Sequence, residues 1–347
     1  MINRPKICIP ITSVTRDEIT ETARKFATLP AEMVEWRVDF FAGYEREIPA
    51  VTKELKEILG NKELITTIRT THEGGESNGD RFPYKETICK ILTEGKTDYI
   101  DVEIYRGKNI VSEVVSKAKE SGVKVIGSYH NFEKTPSEEE LTAVLEEARE
   151  LGVDIGKAAC MPAGSDEEQW EDVMRLLSVT EKMHEKHPEF PLITMSMGKA
   201  GEMSRLYGGL YGSIVSFGCA GKASAPGQIE LDAMMEVFDK IYAGGDQISL
   251  IGFMGVGKST ISHKLHELTG RPEVDTDKRI VEEQGCPIPR IFEEKGEAYF
   301  RRLETDLIDE LGTLPPNHFL WRWNGTSRHQ CEKTACHRKY RTFDRNA

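Results

Sequence analysis

The chain has 347 residues, of which 30 % are charged and 38 % are hydrophobic, and its mean hydropathy is −0.46. This length suffices for two packed domains, and the composition excludes both a disordered chain and a membrane protein as the overall description. The net charge of −12 argues against a nucleic-acid partner, although it leaves room for a locally basic pocket that binds an anionic metabolite.

Eight short apolar runs between residues 6 and 219 have the composition of strands, and charged segments of helical period separate most of them. In segment 138–151, for example, Leu141, Val144 and Leu145 recur at helical spacing, and Ser137 can cap its start. Eight βα units in ~240 residues predict a (β/α)8 TIM barrel, with its chemistry at the carboxyl ends of the strands. An open doubly wound α/β sheet is the alternative, but the polar residues that end at least five strands favour a shared central mouth. The predicted strands are 6–12, 33–39, 63–69, 98–104, 123–130, 154–159, 191–197 and 213–219.

The second predicted strand carries a charge at every second position, so Glu35, Arg37 and Asp39 point to one side. Buried charges are tolerated when they pair or bind a ligand, which favours a network facing a polar ligand over a solvated edge strand. Taken singly, the charged residues of the next two units are compatible with ordinary ion pairs. They are Arg69, Glu73, Asp101 and Glu103.

The fifth and sixth strands indicate a more specific chemistry. His130 ends an apolar run, and Lys157 lies alone inside the next one. Desolvation lowers the pKa of a lysine, and a neutral amine can attack a carbonyl to form a Schiff base. A lysine that extends its amine to water and a hydrogen-bonded core histidine are the alternatives when each residue is taken alone.

Six motifs, in order along residues 1–243, resemble type I 3-dehydroquinate dehydratase, a Schiff-base enzyme of the shikimate pathway. The resemblance implies a dehydratase that converts 3-dehydroquinate to 3-dehydroshikimate in aromatic amino acid biosynthesis. The motifs are Glu35-Trp36-Arg37-Val38-Asp39, Ser128-Tyr129-His130-Asn131-Phe132, Gly156-Lys157, Met195-Ser196-Met197-Gly198, Ser204-Arg205 and Ser224-Ala225-Pro226-Gly227-Gln228.

The same resemblance implies a role for each matched residue. Lys157 would form the imine with the substrate ketone, and His130 would remove the neighbouring proton and then protonate the departing hydroxyl. Glu73 would orient the histidine, and Arg205 would bind the substrate carboxylate. The dehydratase would need no metal and no diffusible cofactor. The remaining substrate-binding residues would be Ser224 and Gln228 from a lid loop, together with Ser13, Glu35, Arg37 and Arg69.

Two other functions remain open for the barrel. A class I aldolase or transaldolase would also place a Schiff-base lysine on a strand, but it would lack the Ser-Ala-Pro-Gly-Gln loop and the Ser-Arg pair. A scaffold that has kept the fold and lost the chemistry is the non-enzymatic alternative. We expect a cytoplasmic protein with no membrane partner, because no segment approaches the ~18 apolar residues of a membrane helix. A homodimer is compatible with these expectations.

A second domain is predicted after a short linker at 244–246. Segment 252–260 fits the phosphate-binding pattern G-x4-G-K-[ST] directly after an apolar strand and before a helical segment. Such a loop cradles phosphates with backbone N–H groups, its lysine reaches the terminal phosphates, and its serine binds Mg²⁺. The sequence therefore predicts an ATP and Mg²⁺ site. Its nucleotide-binding residues would be Gly252, Gly255, Gly257, Lys258, Ser259 and Thr260.

Segments 274–277 and 300–304 of this domain resemble shikimate kinase. By that resemblance Asp277 and Arg301 would bind shikimate, while Asp275 and Ser259 would hold the magnesium. The resemblance extends over 247–316, which predicts an incomplete P-loop kinase-like α/β domain. The C-terminal half would then be a truncated kinase, or a non-catalytic nucleotide-binding or unstructured remnant.

Residues 317–347 change character, with seven Lys or Arg against two acids and no apolar period. The kinase family has a Cys-Gly-Gly-Gly-like loop at this point, whereas this chain has Leu320 to Gly325. Codons CTG TGG CGG TGG AAT GGN for these six residues read Cys-Gly-Gly-Gly-Met in the neighbouring frame. We therefore infer a frameshift near Asn317, and a natural basic tail is the alternative. We do not expect this tail to continue the fold.

Overall fold

The computed structural model describes residues 4–76, 82–221, 223–242, 248–251, 258–270, 272–312 and 320–323. The chain divides into two compact units, one of residues 3–235 and one of residues 236–347 with residues 1–2. Among the helices in these ranges, none has both the length and the apolar character needed to cross a membrane.

The first unit is the predicted (β/α)8 barrel. Its eight parallel strands pair in the order β7-β6-β5-β4-β3-β2-β1-β8, and a bridge between Leu192 and Ser213 links the two ends. The strands are β1 (Lys6–Ile11), β2 (Met33–Arg37), β3 (Glu63–Thr67), β4 (Tyr99–Glu103), β5 (Lys124–Asn131), β6 (Ile155–Cys160), β7 (Leu192–Ser196) and β8 (Val215–Phe217). All eight predicted strands are present, and the open sheet is excluded.

Eight helices alternate with these strands. They are α1 (Arg16–Ala27), α2 (Ile48–Leu59), α3 (Tyr84–Glu94), α4 (Lys108–Ser121), α5 (Glu138–Glu150), α6 (Asp166–Lys186), α7 (Gly198–Tyr207) and α8 (Leu231–Tyr242). Ser137 caps α5 as predicted, because its side chain accepts the backbone N–H of Glu140 while the Glu140 side chain accepts the N–H of Ser137. The buried face of α5 holds Leu141, Val144, Leu145 and Ala148.

The period of two along each strand divides the barrel interior into layers. Met33, Ile65, Tyr99, Ile126 and Ile155 belong to one buried apolar cluster that receives residues from all eight strands. Two positions further along the same strands, the residues are polar, and all of them are buried. This second layer consists of Glu35, Thr67, Asp101, Ser128 and Lys157.

Several strands are shorter than predicted, and in β2 the difference corrects the position of Asp39. β2 ends at Arg37, and residues 38–40 form a 3-10 turn, so Asp39 does not continue the strand. Its carboxylate instead accepts the backbone N–H groups of Arg69 at 3.3 Å and Glu76 at 3.1 Å. The buried side chain ties the turn after β2 to the loop after β3.

The second unit contains a parallel sheet of order β10-β11-β9 among its described residues. Its apolar core joins Ile280, Ile291, Phe300, Leu307 and Leu311. The elements are β9 (Ile248–Ile251), α9 (Lys258–Thr269), β10 (Glu273–Asp275), α10 (Thr276–Gln284), α11 (Ile288–Lys295), α12 (Glu297–Gly312) and β11 (Leu320–Trp323).

Strand β11 corrects the expectation that the tail does not continue the fold. Residues 320–323 lie between β9 and β10 and pair with both in parallel. Leucine and tryptophan favour strands, and the backbone groups of β9 and β10 need hydrogen-bond partners. Strand propensity and pairing with β9 and β10 therefore explain a strand here, although the segment lacks the apolar period on which the prediction was based.

Candidate active site

A cavity of about 200 Å³ opens at the carboxyl ends of the barrel strands. It receives residues from β2, β5, β6, β7 and β8, from α7 and from the loops after β3, β5, β7 and β8, as the shared mouth of a barrel requires. Nine of the predicted site residues line it. These are Glu35, Arg37, Arg69, Glu73, His130, Lys157, Arg205, Ser224 and Gln228.

Ser13 is the predicted barrel-site residue that does not line this cavity. It lies on the loop between β1 and α1, and its hydroxyl is 2.9 Å from the Thr22 hydroxyl on α1. The loop turns toward Thr15, which caps α1, and this turn directs Ser13 to the helix. The structure therefore places Ser13 beside α1 and not among the residues of the cavity wall.

Lys157 lies at the base of the cavity, in the middle of β6, and is only 4 % exposed. Its Nζ donates to Oδ2 of Asp101 at 3.1 Å and lies 3.8 Å from Oε1 of Glu35. The same nitrogen is 4.7 Å from the centre of the Phe217 ring. The amine is thus held by one carboxylate and an aromatic face, which limits its position within the cavity.

Arg69 is the centre of the carboxylates around the lysine. Its guanidinium donates to Asp101 Oδ1 at 2.8 Å and to Ser128 Oγ at 2.9 Å, and it lies 3.3 Å from both Glu73 and Glu103. Burial alone would lower the pKa of this arginine, but the three carboxylates raise it. Burial alone would likewise raise the pKa of Asp101, but Arg69 and Lys157 lower it to about 2. The arginine and the aspartate are therefore both charged at neutral pH.

His130 and Glu73 form a buried pair beside this network. The Nδ1 atom of His130 is 2.8 Å from Oε2 of Glu73. Burial, with the nearby cations Arg69 and Lys157, lowers the pKa of His130 well below its usual value. Burial raises the pKa of Glu73 to about 8, with Glu103 and Asp101 opposing the effect of Arg69. The imidazole is therefore neutral at pH 7 and able to accept a proton.

Arg205 is the contrasting cation of the cavity. It is 2 % exposed, and among the described residues no carboxylate lies within 4 Å of its guanidinium. The guanidinium donates to the carbonyl oxygens of Phe217 at 3.2 Å and Pro226 at 3.1 Å, while its Nε has no hydrogen-bond partner. Burial lowers its pKa to about 10. A buried guanidinium without a counter-ion is suited to bind an anionic group of a ligand.

The loop of Ser224 to Gln228 closes over one side of the cavity. The Gln228 side chain donates to Ser224 Oγ at 3.0 Å and accepts the Ser224 backbone N–H at 2.7 Å. Gly227 has a φ of +76°, and a Cβ atom there would lie 2.2 Å from the carbonyl oxygen of Gly198. The Pro-Gly sequence therefore lets the loop pack directly on the start of α7.

Sequence reasoning missed the residue in closest ionic contact with the lysine. Asp101 was recognised only as one of two acids that alternate on β4, without a role in the site. Its place in the polar layer, two residues after Tyr99, is the signal that could have revealed it. The apolar wall formed by Phe132, Met197 and Phe217 was also not assigned to the site.

The described part of the second unit contains six of the nine residues predicted for the kinase site. Lys258 begins α9, and Ser259 and Thr260 are exposed in its first turn. Asp275 accepts the backbone N–H groups of Asp277 and Lys278 and so caps α10. Arg301 on α12 pairs with Glu304 at 2.8 Å and Glu297 at 3.2 Å. Residues Gly252, Gly255 and Gly257 lie outside the described ranges.

The order of strand β9, glycine-rich segment and helix α9 fits a phosphate-binding loop, with hydroxyl groups exposed at the start of the helix. Lys258, Ser259 and Thr260 would hold the ATP phosphates and Mg²⁺ there. Arg301, in contrast, was predicted to bind shikimate, but its guanidinium pairs with two carboxylates of the protein.

Comparison with known proteins gives two separate matches along the chain. The family model for type I 3-dehydroquinase matches residues 7–244, and the model for shikimate kinase matches residues 254–318. A 3-dehydroquinate dehydratase from Bacillus licheniformis is 40 % identical over 236 residues, which are 67 % of this chain and 91 % of the relative. One from Clostridioides difficile is 38 % identical over 241 residues, which are 69 % of this chain and 92 % of the relative.

A solved structure agrees with the first of these matches. A type I 3-dehydroquinate dehydratase from Clostridium difficile with covalently modified comenic acid is 37 % identical, with a TM-score of 0.65, and the match covers 70 % of this chain and 94 % of that one. A shikimate kinase from Acinetobacter baumannii in complex with shikimate is 40 % identical, with a TM-score of 0.21, over 22 % of this chain and 42 % of that one. The chain belongs to the type I 3-dehydroquinase family.

Proposed function

We propose that the barrel dehydrates 3-dehydroquinate to 3-dehydroshikimate through an imine on Lys157, a step of the shikimate pathway. The observation that carries this proposal is a buried lysine, a neutral histidine and an unpaired arginine on one cavity of about 200 Å³. The names of the relatives indicate the substrate. The cavity contains an amine that can form the imine, a base that can take the proton and a cation that can bind the carboxylate.

The lysine provides the electron sink. The Lys157 ammonium gives up a proton, and the resulting amine attacks the ketone carbon to form a C–N bond. In the course of this step two protons pass from the nitrogen to the carbonyl oxygen, which leaves as water, and the third stays on the imine nitrogen. The protonated imine withdraws electrons from the neighbouring carbon and makes its C–H bond acidic. The reaction therefore needs neither a metal nor a diffusible cofactor.

The histidine moves the proton. His130 takes the proton from the carbon next to the imine, and the resulting imidazolium protonates the hydroxyl that departs as water. Glu73, at 2.8 Å from Nδ1, orients the ring and stabilises the imidazolium during this step. Hydrolysis of the imine then releases the product and restores the Lys157 amine.

The arginine and the loop hold the substrate. Arg205 binds the substrate carboxylate, which supplies the counter-ion that its guanidinium lacks in the protein. Ser224 and Gln228 lie on the loop that packs over the cavity and exclude water from the imine. Glu35, Arg37 and Arg69 contact the ring hydroxyls or complete the polar layer beneath them. The apolar wall accommodates the carbon ring.

Reductive trapping tests the lysine assignment. Borohydride added with 3-dehydroquinate should leave a covalent adduct on Lys157, which peptide mass spectrometry locates. Lys157→Ala should give no adduct and no turnover, because Lys157 is the one amine among the described residues that line the cavity. Lys182→Ala, at an exposed position on α6 that pairs with Glu138, is the matched control and should behave as wild type. An adduct that survives in Lys157→Ala would refute the assignment.

The pH dependence of kcat/KM tests the pairing of Glu73 with His130. A carboxylate stabilises the imidazolium better than a neutral carboxyl group, and the carboxylate forms as the pH rises through the raised pKa of Glu73, about 8. Activity should therefore increase with pH across that value. Glu73→Gln should lower kcat and abolish the increase, while His72→Ala, in the same turn but exposed, should keep it. An unchanged increase in Glu73→Gln would contradict the pairing.

For the second unit we propose weak nucleotide contact and no phosphoryl transfer. Phosphoryl transfer depends on positioning and charge stabilisation, so a P-loop alone is insufficient. Two observations support this. Similarity to shikimate kinase ends at residue 318, before the family's shikimate loop, lid and later arginine segment, and Arg301 is engaged by Glu297 and Glu304.

An assay with shikimate and ATP tests this proposal. We expect no shikimate 3-phosphate from a preparation that dehydrates 3-dehydroquinate, which serves as its own control for folding of the barrel. Formation of shikimate 3-phosphate by the 347-residue chain would overturn the proposal. Resequencing the gene around the codon for Asn317 tests the cause, because a frameshift predicts a neighbouring frame that encodes Cys-Gly-Gly-Gly and a further long segment.

A further inference from the structure

The two oxygens of Asp101 have different partners. Oδ1 accepts from Arg69 at 2.8 Å and from the Ser128 hydroxyl at 2.6 Å, while Oδ2 accepts from Lys157 at 3.1 Å. The side chain is 1 % exposed, so water does not compete for either oxygen. One oxygen is fixed by the barrel wall, and this leaves the other directed at the lysine nitrogen.

We propose that Asp101 is the counter-ion that keeps the imine on Lys157 protonated throughout the reaction. This inference rests on the proposed imine chemistry of Lys157 and adds a residue to it. A protonated imine attracts electrons far more strongly than a neutral imine, so the charge on this nitrogen sets how acidic the substrate C–H bond becomes. A fixed carboxylate next to the nitrogen stabilises that charge.

The stoichiometry of imine formation explains why one directed carboxylate oxygen is required. An ammonium and a ketone give a protonated imine and water, so the nitrogen carries one positive charge before and after the step. It has three N–H groups before condensation and a single N–H afterwards. The remaining N–H can donate to one acceptor, and Oδ2 of Asp101 is the nearest carboxylate oxygen to the nitrogen.

The other groups around Lys157 are less suited to this role. Glu35 is farther from Nζ, at 3.8 Å, and its Oε1 already accepts from the Thr67 hydroxyl at 2.8 Å. Burial raises the pKa of Cys8, so its thiol is neutral. Asp101 itself is ionised at neutral pH, since its pKa is lowered to about 2. The titratable or charged groups that act on Lys157 or its carboxylates are Cys8 from β1, Glu35 and Arg37 from β2, Arg69 and Glu73 after β3, Asp101 and Glu103 from β4, and His130 from β5.

Asp101→Asn tests the proposal because it keeps the shape of the side chain and removes its charge. Cyanoborohydride reduces a protonated imine selectively, so its trapping rate against pH reports the pKa of the imine. Loss of an opposite charge at this distance lowers that pKa by ~1–3 units. We expect trapping in Asp101→Asn to fail at correspondingly lower pH, and kcat at about pH 8 to drop at least tenfold. Glu113→Gln, which removes an exposed carboxylate that pairs with Lys85 on the barrel surface, should keep the wild-type trapping profile.

The outcomes separate this inference from the proposed function. Absence of any adduct in the wild type would refute the imine itself. An adduct in the wild type with an unchanged profile in Asp101→Asn would refute the counter-ion and leave the imine standing. Should the variant not fold, as judged by near-UV circular dichroism, ¹⁵N spectra of lysine-labelled wild type with bound product replace it. We expect a protonated imine nitrogen between about pH 6 and about pH 9, and a neutral one within that range would overturn the proposal.

Discussion

A charge inside a protein must have a partner within contact distance, and the barrel interior is organised by this requirement. Lys157 can be buried because Asp101 lies 3.1 Å from its nitrogen, and Asp101 can remain ionised because Arg69 and Ser128 bind its other oxygen. Arg69 in turn stays buried because Glu73 and Glu103 surround it. A single network of alternating charges thus connects the candidate nucleophile at the base of the cavity to Glu73 in the loop after β3.

The same requirement distinguishes Arg69 from Arg205 among the three arginines that line the cavity. Arg69 is neutralised by carboxylates of the protein and therefore has a structural and electrostatic role. Arg205 has only carbonyl oxygens and a thioether as hydrogen-bond partners among the described residues, so its guanidinium is suited to an anionic group of a ligand. The cavity therefore has two electrostatically distinct regions, a paired network around Lys157 and a cation without a carboxylate partner at Arg205.

Sequence alone predicted the strands and most of the wall because the barrel interior repeats every two residues. That period also places Glu35 and Lys157 in the same layer, so a single charged residue on a predicted strand was enough to assign each of them to the cavity wall.

The strand period did not predict the positions of Ser13 and Asp39. Both residues lie just beyond strand ends, where the turn and not the strand sets the direction of the side chain. The contact of Asp101 with Lys157 reaches from β4 to β6 across the intervening strand β5, which no local pattern encodes. Strand β11 was missed for a different reason, since its formation depends on pairing with β9 and β10.

The central claim is that this cavity dehydrates 3-dehydroquinate, and the most direct measurement is the ultraviolet spectrum of the purified chain incubated with that compound. The account predicts growth of the conjugated enone absorbance of 3-dehydroshikimate, with no carbon–carbon cleavage product. Spectra that remain unchanged for a folded protein, or cleavage of a sugar phosphate by the same preparation in place of dehydration, would contradict it.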